Sequence, residues 1–432
     1  MNAIGMNKLL NQSLLCLIGL LPLGLFTIRG WASGISFACA ALALLIISMR
    51  ILKARPHSED HFWVSLLLIT LMLPLLSVML SSVIRGEWIW ANFDSASRFF
   101  IAAPIFYVVF RNQLKPLHYW QYVIPISLIL TAIAIPLLPQ YGWEFNKAIW
   151  GSRSATYFVD PLTLGYLSLT LGMLSFFSIN LFSKDPLLIF ILKIIGTVVG
   201  FYISIKTQSR TGWLAIPLIL FLLLWLHGPK NKILSTFIAL LASVVLTVGI
   251  YQASSTVQNR VHDALVDLQD YKLDKVNSES SIGERISFAR MGLYYFKLSP
   301  IYGWGLRGYM AHANDPELVL FASDSTRESP GRGSLFHSEL TTNAVAYGIL
   351  GIIYTLLIFF SPLALCIRQW RRGVNPQLCA LGIVYSLCAM ISSLSTEIFG
   401  LKFAASFHAV FLASLCAELL STDNQSTKKL AD

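Results

Sequence analysis

Charge is scarce in this chain. Only 12% of its 432 residues are Asp, Glu, Lys or Arg, against roughly 25% in a soluble globular protein, while 55% are hydrophobic and the mean hydropathy is +0.65. A water-soluble architecture is excluded, and an integral membrane protein remains. The six cysteines all fall within apolar stretches, which excludes a disulfide framework or a CxxC metal site and leaves small core residues. A Walker A loop, a GxSxG elbow and any cytoplasmic domain large enough for a nucleotide are missing as well. No long repeat or low-complexity tract is present. The net charge of +10 would suggest nucleic acid in a soluble protein; in a polytopic one it points to basic cytoplasmic loops, and no nucleic-acid partner is expected.

What is abundant is long apolar runs. They fall at 9–28, 31–49, 62–84, 98–110, 119–138, 156–182, 187–205, 211–227, 232–251, 339–367, 377–396 and 400–418, giving an all-α polytopic bundle of about twelve spans. The fourth run is short for a crossing, and the sixth and tenth are long, the latter containing Gly348 and Gly351. Lys8 before the first run resembles a signal sequence, but Ala32-Ser33-Gly34 leads straight into the next span, so an uncleaved first helix is expected. One set of alternate connections carries Lys8, Arg50, Lys53, Arg55, Arg111, Lys115, Lys184, Lys230, Lys232, Arg368, Arg371, Arg372, Lys428 and Lys429. The opposite short connections carry Arg29, Arg85, Arg98, Lys147, Arg153, Lys206, Arg210 and Lys402, so the richer side is cytoplasmic and both termini face it.

The expected organisation is thus spans one to nine over 1–251, a periplasmic loop over 252–338, and spans ten to twelve with a cytoplasmic tail over 339–432. The loop is the expected working domain. Val257, Val261, Leu265 and Leu268 share one stripe of a surface-lying amphipathic helix. A second helix runs from Gly283 to Leu298, with Ile286, Ala289, Leu293 and Phe296 as its apolar stripe, and Ser299-Pro300 stops it before the Gly303-Trp304-Gly305 turn. Residues 311–333 read as ordered loop.

Four side chains in these segments could carry chemistry. Arg210, squeezed between two apolar runs in Gln208-Ser209-Arg210-Thr211-Gly212, reads either as an interfacial arginine that snorkels to headgroups or as a phosphate clamp, its planar fork matching phosphate oxygens. Arg285 and Arg290 lie five residues apart on one helix, about 140° around it, so they cannot easily serve one ligand. His337 sits where the loop re-enters an apolar run; it is either an interfacial hydrogen-bonding residue or a proton acceptor near neutral pH. His337 with Glu339 is only an HxE pair, with no spaced set of ligands, so no metal is expected.

Three local patterns resemble the O-antigen ligase family of bacterial inner-membrane glycosyltransferases. They are Ser209-Arg210 opening a helix; Arg285-Ile286-x-Phe288 followed by Ser299-Pro300 and Gly303-x-Gly305; and His337 followed by Tyr347-Gly348-Ile349-Leu350-Gly351. In the family pattern an aromatic, usually Trp, follows the helix arginine by three residues, which selects Arg285 over Arg290, with Phe288 in the aromatic place. The family's usual Asn after the histidine is Ser338 here. The resemblance implies transfer of a polysaccharide from undecaprenyl diphosphate to the lipid A core at the periplasmic face of the inner membrane. Its partners would be the lipid-linked O-antigen, the lipid A-core acceptor and membrane lipids, with no cofactor. It implies Arg210 and Arg285 on the donor diphosphate, His337 as the base, and Ser209, Arg153, Arg290 and Glu339 in support. A glycosyl diphosphate has a good leaving group, so charge stabilisation matters more than a general acid, and one base suffices for an inverting displacement. O-antigen polymerases and pilin oligosaccharyltransferases share the signature, the latter usually with an extra C-terminal module. A lipid or polysaccharide transporter would instead place polar residues or broken helices near the midplane in related halves.

The charge count sets a topology that labelling can test. In a cysteine-free background, an impermeant thiol reagent applied to spheroplasts should modify Ser278→Cys and spare Ser426→Cys; the opposite pattern would invert the topology.

Overall fold

The computed structural model describes residues 3–52, 61–137, 153–209, 232–253, 255–272, 281–332 and 335–431. Among these the chain is helical with no strand. In order, the helices are α1 (Ala3–Leu20), α2 (Trp31–Ser48), α3 (His61–Arg85), α4 (Trp90–Asn112), α5 (Leu117–Leu137), α6 (Pro161–Phe177), α7 (Leu187–Lys206), α8 (Lys232–Ala253), α9 (Ser255–Lys272), α10 (Ser281–Leu298), α11 (Pro316–Val319), α12 (Asp324–Glu328), α13 (Glu339–Arg371), α14 (Pro376–Ser393) and α15 (Lys402–Ala431). Eight helices among the described residues are long and apolar enough to cross a membrane, and α6 is a shorter apolar one. The architecture is the expected multi-span bundle; the count of twelve is not confirmed, and the run at 211–227 lies outside the described residues.

Several run boundaries differ from the hydropathy reading, each for a local reason. The first helix stops at Leu20 rather than 28, because Pro22 has no N–H to continue it. The Ile18 carbonyl, which Pro22 cannot bond, accepts from Trp120 Nε1 at 2.6 Å, and Trp31 Nε1 donates to the Leu20 carbonyl at 3.1 Å. The short fourth run belongs to a 23-residue helix, about 34 Å long, whose polar first turns hide it from a hydropathy reading. There Asp94 pairs with Lys402 at 2.6 Å and Ser95 donates to the Gly400 carbonyl at 2.8 Å. The sixth run shrinks to α6, which Asp160 caps by accepting from Leu162 and Thr163 N–H at 2.9 and 3.0 Å, with Pro161 in the first position where its missing N–H costs nothing.

The chain divides into two compact units: residues 1–209, 353–390 and 398–432, and residues 210–352 with 391–397. In the first, α6 and α7 approach closely at Gly172 and Gly200; a Cβ on Gly200 would lie 2.7 Å from the Ser168 carbonyl oxygen. Lys193 on α7 is fully buried, a cation that hydropathy reading passed over. Its Nζ donates to both Asp185 oxygens (2.9 and 2.8 Å), to Gln121 Oε1 (2.8 Å) and to the Ser178 carbonyl (2.7 Å), which satisfies the charge in place. The cysteines are all free; five are buried as expected, whereas Cys16 is exposed on α1 and is not a core residue.

The second unit is organised by a break in α13. At Gly348 (φ 63°, ψ −143°) the helix stops being one, and Gly351 lies so close to the Asn343 carbonyl that no side chain fits there. A regular helix would bond Ile349 N–H to the Val345 carbonyl. Here Ile349 N–H donates to Pro300 O at 2.7 Å, while Trp304 N–H donates to Val345 O at 2.9 Å and Gly305 N–H to Ala346 O at 2.8 Å. The turn after α10 thus replaces the missing helical bond from both sides. Gly303 and Gly305 take φ of 66° to do it. The long tenth run is therefore a short segment, 339–347, followed by 23 residues, enough for a crossing of about 30 Å.

A methyl group at the break should be intolerable. A Cβ on Gly348 would lie 2.5 Å from the Ile301 carbonyl carbon, on a backbone L-residues avoid, so Gly348→Ala should cost at least about 1–3 kcal/mol. Gly249→Ala, in open space on α8, should be neutral or raise stability by about 0.5–1 kcal/mol. Thermal unfolding in detergent measures both; equal midpoints would mean that the break is not built on Gly348.

Candidate active site

Within the second unit, α10 is held by the face carrying Ser287, Phe288, Met291, Gly292 and Tyr295, all buried. This is not the expected stripe. Ala289 and Leu293, two of its four members, are exposed, Leu293 by 56%, and the exposed Leu298, Ile301 and Tyr302 follow. The helix therefore has two apolar faces, and the sequence pattern picked out the one facing away from protein. On α9 the stripe residues Val261 and Leu265 are exposed too, in keeping with a surface helix.

The buried face packs into an aromatic core of Phe288, Met291, Tyr295, Tyr309, Leu318, Ala322, Phe336 and Val345. Tyr309 and Phe336 rings are 5.1 Å apart, Tyr295 and Tyr309 5.2 Å, Phe288 and Phe336 6.2 Å. Trp304 joins it, its indole N–H donating to the Tyr295 carbonyl at 2.8 Å. Burial pushes the Tyr295 and Tyr309 hydroxyls well above the usual tyrosine range, so both stay protonated. The segment expected to be loop contributes two core residues through short helices. Leu318 comes from α11 and Ala322 lies just beyond it, while Ser323 caps α12 by accepting from Thr326 N–H.

His337 follows Phe336 directly, so burying Phe336 delivers the histidine. Leu335 and His337 both take left-handed φ, 47° and 49°, a tight turn ahead of α13. The His337 ring then lies 5.5 Å from the Phe288 ring. Phe288 is one turn beyond Arg285 on the same helix, so it ties the half-buried Arg285 segment to the histidine turn. Glu284, beside Arg285, has its carboxyl pKa raised by burial, against the lowering influence of Arg285 and of Ser329. Arg290 is elsewhere: it is exposed and lies over the Phe321 ring at 5.5 Å. Glu339 is buried and accepts from Asn343 Nδ2 at 2.7 Å, which turns it toward its own helix. Ser338, in the place of the family's Asn, is the first-turn acceptor for Thr341 N–H at 3.4 Å.

Of the remaining expected residues, Ser209 and Arg153 each bond Thr207, in the first unit at the C-terminal end of α7. Arg153 Nε donates to the Thr207 carbonyl at 2.9 Å, satisfying a helix-end acceptor, and Ser209 is buried with its N–H toward Thr207 Oγ1 at 3.4 Å. Arg210 lies outside the described residues. Among the described residues no three of His, Cys, Asp and Glu gather as a metal site would require.

Sequence reasoning missed Glu397. It lies between α14 and α15, and its half-buried carboxyl accepts from Thr342 Oγ1 at 2.9 Å and from the backbone N–H groups of His337 and Ser338. Burial pushes its pKa up to about 7 against these hydrogen bonds. An isolated acid between two apolar runs was the available signal.

The arrangement defines a multi-span helical membrane protein that gathers an arginine and a histidine on one aromatic scaffold. Residues 195–356 match the family model described as O-Antigen ligase. The chain is 26% identical over 295 residues to the O-antigen ligase of Escherichia coli K12, covering 67% of this chain and 66% of that protein. It is 22% identical over 312 residues to an uncharacterized protein of Haemophilus influenzae, covering 71% and 74% of the two. The family match and the Escherichia coli relative support the O-antigen ligase family for this chain, which implies a glycosyltransferase type of activity.

The two arginines of α10 should then differ. Arg285→Ala is expected to lower glycan transfer by about 100-fold or more, the usual cost of one charge-stabilising donor. Arg290→Ala, which loses an exposed cation–π contact of about 0.5–1 kcal/mol, should remain close to wild type. Initial rates at equal protein levels decide; equal losses would contradict the assignment.

Proposed function

We propose that the chain is an O-antigen ligase, transferring a polysaccharide from undecaprenyl diphosphate to a sugar hydroxyl of the lipid A core at the periplasmic face of the inner membrane, with 252–338 as a periplasmic loop. The observation that carries this reading is the contact of His337 with Phe288, one turn beyond Arg285. It brings a proton acceptor and a phosphate-matching cation onto one scaffold, the two functions the reaction demands.

In this mechanism Arg285, joined by Arg210, binds the diphosphate oxygens and stabilises the charge that develops as the C1–O bond breaks. His337 takes the proton of the acceptor hydroxyl as its oxygen attacks C1 from the opposite side, inverting the anomeric carbon. Undecaprenyl diphosphate leaves with the bonding pair. The diphosphate is neutralised by arginines in this scheme, so it needs neither a divalent metal nor a nucleotide. The polyprenyl tail belongs in lipid while both sugars are in water, so the chemistry belongs at the bilayer surface. The exposed apolar side chains Ala289, Leu293, Leu298 and Ile301 suit that boundary.

The test uses the purified full chain in detergent with lipid-linked glycan and lipid A-core. Transfer should survive excess EDTA and vanish in His337→Gln, because an amide hydrogen-bonds but takes no proton at this pH. Wild-type rate should fall as the pH is lowered far enough to protonate the base. Near-normal turnover by His337→Gln, or activity lost in EDTA and restored by Mg²⁺, would overturn the mechanism. A product extended on lipid-linked glycan instead of lipid A-core would show a polymerase.

A further inference from the structure

Three features of the His337 turn need a common cause. His337 holds a left-handed backbone that a β-carbon disfavours. The turn leads directly into α13, whose first N–H groups have no partner within the helix. A half-buried carboxyl stands at that point, Glu397, arriving from the connection between α14 and α15 and belonging to the same compact unit. An acid in this position is favoured by the positive end of the helix.

We propose that Glu397 is a positioning residue for His337: its carboxyl accepts the backbone N–H groups of His337 and Ser338 and the Thr342 hydroxyl, and so fixes the turn that aims the imidazole. The inference rests on the reading of His337 as the base. Glu397 is two helices beyond the arginine and histidine segments in sequence, outside the residues 195–356 of the family match. Its partners are backbone atoms and one side chain, so it acts through the turn. The Thr342 hydroxyl makes the link closed, since Phe336 N–H donates in turn to Thr342 Oγ1 at 3.4 Å. One carboxyl therefore fixes His337 and Ser338 directly and Phe336 through Thr342, next to the ring contact with Phe288 on the other side.

The experiment uses the purified full chain in detergent, with Glu397→Ala, Glu397→Gln and Thr342→Val. The first readout is independent of catalysis: the rate at which diethyl pyrocarbonate acylates His337, read by mass spectrometry of its peptide. The second is the kcat and KM for transfer, and the third the thermal midpoint. Glu397→Ala should change the His337 acylation rate and lower kcat by about 100-fold, the effect of a displacement of about 1 Å, with little change in KM. Glu397→Gln keeps an acceptor oxygen in place and should restore most of both, and Thr342→Val should shift acylation in the same direction as Glu397→Ala. His337 acylation at the wild-type rate in both Glu397→Ala and Thr342→Val would overturn the proposal. Turnover by His337→Gln would instead sink the base reading, while the acylation rates still report whether the clamp exists.

Discussion

The second unit depends on one repair of backbone hydrogen bonding. A helix broken within an apolar run frees carbonyls and N–H groups that apolar surroundings cannot satisfy, each costing several kcal/mol if left unmet. The turn at Pro300–Gly305 supplies both missing partners, Pro300 O for Ile349 N–H and Trp304 N–H for Val345 O. Glycine is required on both sides because the two backbones touch. Once this pairing forms, α10 has one place to go. Trp304 is hydrogen-bonded to Tyr295, Tyr295 lies in the aromatic core, and that core receives Phe336 and leaves His337 beside Phe288. Two motifs distant in sequence, Gly303-x-Gly305 and Gly348-x-x-Gly351, are thus halves of one joint.

This joint explains why the proposed site sits where backbone is irregular. A regular helix offers no free valence at its middle, and a broken one is tolerated only where protein covers the break. The left-handed turn at His337, the capping carboxyl of Glu397 and the aromatic core all serve to hold a short helical segment, 339–347, apart from the span that continues it. In the proposed mechanism rigidity here would have a chemical use, since a base must be held to a fraction of an ångström of its proton for the displacement to proceed.

Much of the fold was legible in the sequence because a bilayer makes hydropathy decisive. The all-helical architecture, the helix expected over 283–298 (281–298 in the structure) and its stop at Ser299-Pro300 are legible from runs, caps and breakers. The errors have physical sources. The polar first turns of α4 are satisfied by Asp94–Lys402 and Ser95–Gly400, partners invisible to a run of hydropathies. On α10 both faces are apolar, so periodicity could not say that Phe288, Met291 and Tyr295, rather than Ala289 and Leu293, turn inward. Buried Lys193 needed Asp185 to be explicable, and Glu397 needed the backbone of His337. The nearness of Arg285 to the histidine turn was implied by a family pattern, whereas the ring contact that produces it is visible only in three dimensions.

The most direct test of this account is a spectroscopic one on the aromatic contact itself. The chain holds eight histidines, and ring-labelled histidine with His337→Gln as the assignment control identifies the His337 signal by NMR in detergent. Replacing Phe288 by Leu removes a ring 5.5 Å from the imidazole while keeping the core filled. The account predicts that the His337 resonance moves in Phe288→Leu. An unmoved His337 signal in a folded Phe288→Leu protein would contradict it, for the histidine would then not stand on the arginine helix at all.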